Sequence, residues 1–278
     1  MIQISAFADE IAADLGEQIA VLAQEGIGHI DLRGAWGVNV LDLTESQVTE
    51  ARRQLDEAGV RVAAIGSPIG KVPIDSDLDQ HLARFDQAVH LARVFETSFI
   101  RIFSFYPPTG SAPDADPAAW RGDVLRQLTE MTARARAADI TLVHENEKGI
   151  YGDTIARCVD LLTAVDDSSC GAALDPANFI QCGEEPFPAA YEALASWIRY
   201  VHVKDARKDG TVAVAGEGLS NWPALLARLR ADGYNGVLSL EPHLAEAGQF
   251  SGFSGPERFR RASQALQGLL RAMDWEFE

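Results

Sequence analysis

The chain has 278 residues, of which 47% are hydrophobic and 23% charged, and its formal net charge is −17. This length fits one α/β barrel and the apolar share supports a large core, so we predict a single domain over residues 1–278. A surface this acidic repels phosphate backbones and anionic lipid, and no cluster of Lys and Arg overrides it, so nucleic acid is not an expected partner. Without a run of about 18 apolar residues or a signal-peptide pattern after Met1, we expect no membrane span and a cytoplasmic location.

Short apolar segments alternate with longer amphipathic segments along nearly the whole chain, which is typical of repeated βα units and a parallel sheet. The predicted strands are residues 2–7, 29–32, 62–65, 99–103, 141–144, 171–174, 200–203 and 237–240. The predicted helices are residues 15–24, 46–58, 78–94, 120–137, 154–164, 188–196, 222–229 and 256–273. Units of roughly 30 residues favour a closed (β/α)8 TIM barrel over an open doubly wound sheet. No GxGxxG turn follows the first strand, which further disfavours a Rossmann fold.

Four consecutive predicted strands, the fifth to the eighth, end in an ionisable residue. These residues are Glu145, Asp175, His202 and Glu241. In an α/β barrel the side chains at the carboxyl ends of the strands converge on one mouth. Each residue by itself is better explained as a helix cap or a salt-bridge partner, but four in matched register predict a common site.

The composition of this candidate site indicates a metal ion. Three carboxylates and one imidazole form a hard, oxygen-rich ligand set, which suits one divalent cation. We expect Mn²⁺, with Mg²⁺ or Co²⁺ as alternatives, and zinc and iron are also compatible with these ligands.

Four short motifs surround the candidate ligands. They are HENE at residues 144–147, LDPANF at 174–179, HVKD at 202–205 with GEG at 216–218, and LEP at 240–242. In this order and spacing the motifs resemble the sugar-phosphate isomerase/epimerase family. That family has a xylose-isomerase-like TIM barrel and includes ketose 3-epimerases, hydroxypyruvate isomerase and inosose dehydratase. The resemblance extends over essentially the whole chain.

The resemblance implies an isomerase or epimerase that acts on a small sugar or keto-polyol. It also implies that Glu145, Asp175, His202 and Glu241 bind the cation. Glu145 and Glu241 are then expected to act as an acid/base pair that moves a proton on a carbon next to a carbonyl, through a metal-stabilised enediolate. Members of this family often form dimers or tetramers, so a homo-oligomer is compatible with the resemblance.

Several further residues are expected near the substrate. Lys204 lies two residues after His202 and should face the mouth, where a salt bridge to a carboxylate is the alternative to substrate binding. Asn178 stands where many relatives have a histidine that binds a substrate oxygen, and an asparagine does not titrate near neutral pH. Other residues near strand ends are expected either to line the pocket or to have a structural role: Arg33, Ser67, Arg101 and Ser104. His243 lies two residues after Glu241 and is expected to reach the substrate.

Three other functions remain open at this point. A metal-dependent dehydratase of a keto-polyol, such as an inosose, would begin with the same enolate, so the sequence does not separate it from an isomerase. An endonuclease IV-like nuclease would need more histidines at the mouth and a basic collar for DNA, and neither is evident. A noncatalytic sugar-binding barrel would use the same pocket without proton transfer.

Overall fold

The computed structural model describes residues 1–244 and 254–278. Within these residues, eight parallel strands form one sheet. The strands are β1 (Gln3–Ala6), β2 (His29–Leu32), β3 (Arg61–Ile65), β4 (Phe99–Ile102), β5 (Thr141–Glu145), β6 (Cys170–Leu174), β7 (Ile198–Val203) and β8 (Val237–Leu240). Each strand from β2 to β7 pairs with the next one along the chain, and β8 pairs with β1. Since β1 also packs beside β2, the sheet is a nearly closed barrel and the predicted fold class is confirmed.

The helices that the structure describes surround the barrel. They are α1 (Leu15–Gln24), α2 (Glu45–Ala58), α3 (Leu78–Val94), α4 (Arg121–Arg136), α5 (Ile155–Val165), α6 (Pro176–Gln181), α7 (Tyr191–Leu194), α8 (Trp222–Ala231) and α9 (Gly255–Ala272). None of these helices combines the length and apolarity needed to cross a bilayer. Most of the predicted helices are observed with their ends within two residues of the expected positions.

Two differences from the predicted helices lie around β6. The predicted helix over residues 188–196 is reduced to α7, because Phe187 is extended before it and β7 already begins at Ile198. The short helix α6 was not predicted. Its start has a clear signal, because Asp175 caps it and Pro176 occupies its first position, where a missing N–H costs nothing.

Two short antiparallel hairpins, also not predicted, follow β2 and β7. One pairs Gly34–Ala35 with Val38–Asn39, and the other pairs Asp205–Ala206 with Val212–Ala213. Strands of two residues are too short to produce an alternating hydrophobic pattern, which explains why the sequence did not reveal them.

The interior of the barrel contains a polar layer around Asp31. The Asp31 carboxyl group accepts hydrogen bonds from the hydroxyls of Ser5, Tyr200 and Ser239, each of which lies on a different strand. Burial raises the pKa of Asp31, and these donors oppose that rise. Because side chains alternate along a strand, the residues two positions further along β7 and β8, His202 and Glu241, also face inward, one layer closer to the mouth.

The segment after β3 passes very close to the end of β4. Ile69 O accepts from the Phe103 N–H at 2.8 Å, and Gly70 O accepts from the Phe105 N–H at 2.9 Å. Gly70 has φ +85°, and a Cβ atom at this position would lie 2.1 Å from Phe103 O. Only glycine fits there, so Gly70 allows the β3 and β4 ends of the mouth to pack together.

We predict that Gly70→Ala destabilises the fold by about 2–5 kcal/mol, the sum of the cost of a positive φ and of overpacking against a carbonyl. Gly110→Ala is the matched control, because Gly110 has a similar φ of +80° but a Cβ atom there would have no neighbour within 4 Å. Urea unfolding followed by circular dichroism measures both, and Gly110→Ala should cost about 1–2 kcal/mol. Equal losses for the two variants would contradict the close approach.

Candidate metal centre

The four candidate ligands from the carboxyl ends of β5 to β8 meet at the mouth of the barrel. Glu145 is the last residue of β5, His202 lies in β7, and Asp175 and Glu241 directly follow β6 and β8. All four are at most 2% exposed, and one potential ligand atom from each lies within 4.8 Å of the others. The structure therefore brings together the four residues that the sequence predicted at the ends of the fifth to eighth strands.

Two of these residues have buried atoms that lack a hydrogen bond. His202 Nδ1 lies 3.4 Å from Glu145 Oε1 and 3.8 Å from Glu241 Oε2, but it bonds to neither. Asp175 Oδ2 also accepts no hydrogen bond of adequate geometry. Buried polar atoms normally have partners, and an imidazole nitrogen grouped with carboxylate oxygens is a common cation site. The arrangement therefore fits a divalent cation.

Lys204 faces the same mouth and forms the salt bridges considered as an alternative. Its Nζ lies 2.9 Å from Asp175 Oδ2 and 3.2 Å from Glu241 Oε2. Burial lowers the pKa of Lys204, but the two carboxylates outweigh burial and raise it well above its ordinary value, so the ammonium stays charged. Burial raises the pKa of Asp175 to about 6 in spite of this ammonium.

Arg101 connects the two glutamates of the cluster. Its Nη1 lies 3.1 Å from Glu145 Oε2 and 3.2 Å from Glu241 Oε1. The guanidinium group also lies against the rings of Phe7 and Phe103, with its central carbon 4.6 and 4.9 Å from the ring centres. The sequence alone placed Arg101 only near a strand end, whereas the structure gives it a defined position between the two carboxylates.

The electrostatic surroundings keep both glutamates ionised. Burial and the charge of Glu241 raise the pKa of Glu145, but His202 and Arg101 oppose them and hold it at about 2. Burial also raises the pKa of Glu241, but Lys204 and His243 are among the groups that hold it well below its ordinary value. At neutral pH the two side chains are therefore carboxylates that can accept a proton.

Asn178 forms hydrogen bonds with two of the candidate ligands, Glu145 and Asp175. Its Nδ2 donates to Glu145 Oε1 at 3.1 Å and to the backbone carbonyl of Asn146 at 2.9 Å. Its backbone N–H donates to Asp175 Oδ1 at 2.9 Å. Asn146, which sequence reasoning did not single out, binds the backbone N–H and C=O of Asp175 through its amide, both at 2.9 Å. The two asparagines thus hold Glu145 and Asp175 in place.

Ser67 and Arg33 lie at different depths in the mouth. The Ser67 hydroxyl is buried and donates to the carbonyl of Arg101, which is the structural role considered for it, so its contact with substrate stays a prediction. Arg33 is partly exposed, and its Nη1 lies 3.0 Å from Glu241 Oε1. Arg33 Nε also binds Asp9 at 2.8 Å.

Glu10 is a site residue that sequence reasoning missed. It ends the 3-10 turn Ala8–Glu10 after β1, is fully buried, and its Oε1 lies 3.1 Å from His243 Nε2. His243 Nε2 is also 3.5 Å from Glu241 Oε1. The acidic pair Asp9-Glu10, soon after the first strand, could have indicated this position. Side chains that follow the carboxyl end of β1 can reach the mouth as well as those that follow β5–β8.

The remaining parts of the HVKD and GEG motifs stabilise the loop after β7. The Asp205 carboxylate is fully buried and accepts from the backbone N–H groups of Ala206, Gly216, Gly218 and Ser220 at 2.9–3.0 Å. A Cβ atom on Gly218 would lie 2.3 Å from the same carboxylate. These residues therefore hold the loop beside His202 and Lys204.

The fold and this cluster define a class, the α/β barrels with acidic and histidine residues at the carboxyl-terminal mouth. A family model described as the xylose isomerase-like TIM barrel matches residues 19–270. The chain belongs to this family, as the motifs predicted. A search of curated proteins gives no match.

Several solved structures share the fold at low sequence identity. A xylose isomerase-like TIM barrel protein from Mycobacterium smegmatis in complex with magnesium has 20% identity and a TM-score of 0.72, with 97% of each chain covered. D-psicose 3-epimerase with D-tagatose from Clostridium cellulolyticum H10 has 15% identity and a TM-score of 0.74, covering 97% of this chain and 99% of that one. The probable 3-DHS dehydratase of petrobactin synthesis from Bacillus anthracis has 16% identity and a TM-score of 0.73, covering 96% and 99%. At such identities the likeness establishes the fold.

We predict that Asp205→Ala destabilises the protein by about 2–5 kcal/mol, because four backbone donors lose a charged acceptor. Asp209→Ala is the control, since Asp209 lies on the exposed surface of the same loop and accepts from the backbone N–H and the hydroxyl of Thr211. Its loss should be about 1 kcal/mol or less. Thermal and urea unfolding measure both variants, and a comparable effect of the two would show that Asp205 does not anchor the loop.

Proposed function

We propose that this protein is a divalent-metal-dependent sugar isomerase or epimerase that moves a proton on a carbon next to a carbonyl group of a small sugar or keto-polyol. The observation that carries the proposal is the buried group of Glu145, Asp175, His202 and Glu241, in which His202 Nδ1 lies among carboxylate oxygens without a hydrogen bond. Its location supports the proposal, because active sites of such barrels lie at this mouth. Enzymes also predominate in the family and among the similar solved structures.

The four residues are proposed to hold one cation. We expect Mn²⁺, with Mg²⁺ or Co²⁺ as alternatives, because carboxylate oxygens dominate the ligand set. When bound, a divalent cation polarises the substrate carbonyl and stabilises the negative charge that develops on oxygen as the proton leaves. Asn146 and Asn178 support this role by fixing the orientation of two ligands through hydrogen bonds.

Glu145 and Glu241 are the proposed acid/base pair. Both are ionised beside Arg101, so either can accept the proton from carbon. The carboxylic acid that forms next to the guanidinium has a low pKa and readily returns the proton to carbon. Return to a neighbouring carbon gives an isomer, whereas return to the opposite face of the same carbon gives an epimer.

Four further residues are proposed to bind substrate oxygens: Arg33, Ser67, Asn178 and Lys204. Arg33 and Lys204 are charged donors at the mouth, already oriented by their contacts with Glu241. Such donors suit a carbonyl or hydroxyl oxygen. The direct substrate contact expected of His243 stays a prediction, although the structure pairs this side chain with Glu10.

A dehydratase of a keto-polyol such as an inosose is the second candidate function. Its first step is the same removal of a proton next to a carbonyl, and a hydroxyl group then leaves from the neighbouring carbon. The likeness to the probable dehydratase from Bacillus anthracis supports this alternative, because the same barrel serves that protein.

The metal-supplemented protein should catalyse exchange of a substrate C–H for solvent deuterium when ketoses, keto-inositols and hydroxypyruvate are screened in deuterated water. Glu145→Gln and Glu241→Gln should each lower this exchange by about 10²–10⁴-fold, because a neutral amide cannot accept the proton. Proton NMR of the reaction mixture measures the exchange. Glu147→Gln is the control, since Glu147 pairs with Lys71 at 2.8 Å outside the cluster.

Each outcome of this experiment has a distinct meaning. Deuterium in a product that keeps all of its hydroxyl groups supports an isomerase or epimerase, whereas a product that has lost water supports the dehydratase. Full activity in both glutamine variants would reject the proposed acid/base pair. Binding of sugar without any deuterium exchange would instead support a noncatalytic barrel.

Four other expectations from the sequence stay predictions. They are the single domain over residues 1–278, the cytoplasmic location, the homo-oligomer and the absence of a nucleic-acid partner.

A further inference from the structure

The turn after β1 packs against the segment that follows β8 at the mouth. Glu10 ends this turn, its carboxylate is fully buried, and both of its oxygens face His243. We propose that Glu10 is a positioning residue, which fixes the orientation of His243 so that the imidazole can bind a substrate oxygen. The proposal rests on the proposed function, in which His243 is expected to contact the substrate.

One oxygen of Glu10 binds the backbone of His243. Oε2 accepts from the His243 N–H and from the Ser254 hydroxyl, both at 2.8 Å. The Ser254 hydroxyl oxygen accepts in turn from the Leu244 N–H at 2.9 Å, and the Ser254 N–H donates to the backbone carbonyl of Glu10 at 2.9 Å. Hydrogen bonds to a buried carboxylate are strong and costly to lose. Glu10 therefore ties residues 243–244 and Ser254 to the turn after β1.

The backbone of His243 has a conformation that needs such support. Its φ is +44°, in the left-handed region, which is unfavourable for a residue with a Cβ atom. Such conformations persist only where surrounding contacts fix them, and they are frequent at binding and active sites. The N–H that Glu10 binds belongs to this strained residue, so the hydrogen bond stabilises the conformation that directs the side chain of His243.

The other oxygen of Glu10 faces the ring of His243. Glu10 Oε1 lies 3.1 Å from His243 Nε2, and Glu241 Oε1 lies 3.5 Å from the same nitrogen. One carboxylate thus holds both the backbone and the ring of His243, which restricts rotation of the side chain. The His243 side chain is 28% exposed whereas Glu10 is fully buried, so the imidazole can meet a substrate and Glu10 acts through it.

Arg33 also faces Glu10, but its position depends less on this carboxylate. Arg33 Nη2 lies 3.6 Å from Glu10 Oε1, which is too long for a hydrogen bond. In contrast, Arg33 Nε donates to Asp9 at 2.8 Å and Nη1 donates to Glu241 at 3.0 Å. These two hydrogen bonds hold the guanidinium without Glu10, so a change of Glu10 should act mainly on His243.

Glu10→Gln keeps the size of the side chain and removes its charge. The amide oxygen can still accept from the His243 N–H and the Ser254 hydroxyl, but an NH2 group replaces the oxygen that faces the imidazole. The kinetic probe is the ketose, keto-inositol or hydroxypyruvate that exchanges deuterium in the screen above. We expect KM to rise about 10-fold while kcat falls less than about 3-fold, because a binding contact is lost and proton transfer is not. His243→Asn, which suits the φ of +44°, should raise KM by a similar factor.

The double variant Glu10→Gln/His243→Asn tests whether Glu10 acts through His243. Its KM should stay about 10-fold above that of the wild type instead of about 100-fold, because two changes that remove the same contact are not additive. Glu25→Gln is the matched control and should leave KM unchanged. The Glu25 side chain is only 8% exposed and lies 3.8 Å from Arg260, but it follows α1 at the end of the barrel opposite the mouth. An additive double variant, or a Glu10→Gln variant that does not raise KM, would overturn the proposal.

Proton NMR of the histidine rings gives a second readout, which needs no turnover. The His243 signals, assigned by their loss in His243→Asn, should move in Glu10→Gln by more than their line width, whereas those of the exposed His90 should stay in place. Unmoved His243 signals would overturn the proposal and leave the proposed function standing. No deuterium exchange by the wild type would reject the proposed function and with it the substrate role of His243, and moved signals would then show only that Glu10 holds the ring.

Circular dichroism checks that every variant is folded. Should Glu10→Gln not fold, Glu10→Asp takes its place in both measurements. Its carboxylate is one methylene too short to reach both the backbone N–H and the ring of His243, so the same rise in KM and the same movement of the ring signals are expected.

Discussion

The arrangement of the barrel mouth depends on the charge of one carboxylate, that of Glu241. Five cationic or potentially cationic side chains lie within 4 Å of it: Arg33, Arg101, His202, Lys204 and His243. They come from β2, β4, β7 and β8 or from the loops that follow these strands, and Glu241 itself follows β8, which pairs with β1 and so connects the last strand of the chain to the first. A buried charge requires such partners, because desolvation without compensation would neutralise it. Glu241 thus couples the end of β8 to the rest of the mouth.

The same charges explain why a cluster of buried acids is compatible with a stable fold. Arg101 lies between Glu145 and Glu241, and Lys204 lies between Asp175 and Glu241. Each cation is shared by two carboxylates, so none of the three acids is buried without a counter-charge. This sharing also leaves individual atoms, such as His202 Nδ1, without a hydrogen bond. An imidazole nitrogen without a hydrogen bond beside carboxylate oxygens is the feature here that fits a divalent cation.

The sequence predicted the barrel and the group from β5 to β8 because both depend on periodicity. Alternation of short strands with amphipathic helices is local, and the register of strand ends follows from it. Glu10 escaped this reasoning because it ends a 3-10 turn after β1 and does not directly end an apolar strand. The position of Arg101 between two glutamates also escaped it, because β4 and β8 meet only across the interior of the barrel. Contacts across the interior depend on side-chain length and packing against Phe7 and Phe103, which no spacing in the sequence encodes.

The mouth has two halves that carry different side chains, and on the proposed function they contribute differently to activity and to specificity. The proposed ligands of the cation come from β5 to β8, whereas Glu10, Arg33 and Arg101 come from β1, β2 and β4 or the segments that follow them. On the proposed function, a substrate that binds the cation and reaches across the mouth enters this second half. There it meets two guanidinium groups and a buried carboxylate instead of a mainly apolar wall. On the proposed function, proton transfer takes place in the half formed by β5 to β8, which the periodicity of the sequence predicts. The choice of substrate depends on the half formed by β1, β2 and β4, which periodicity does not predict.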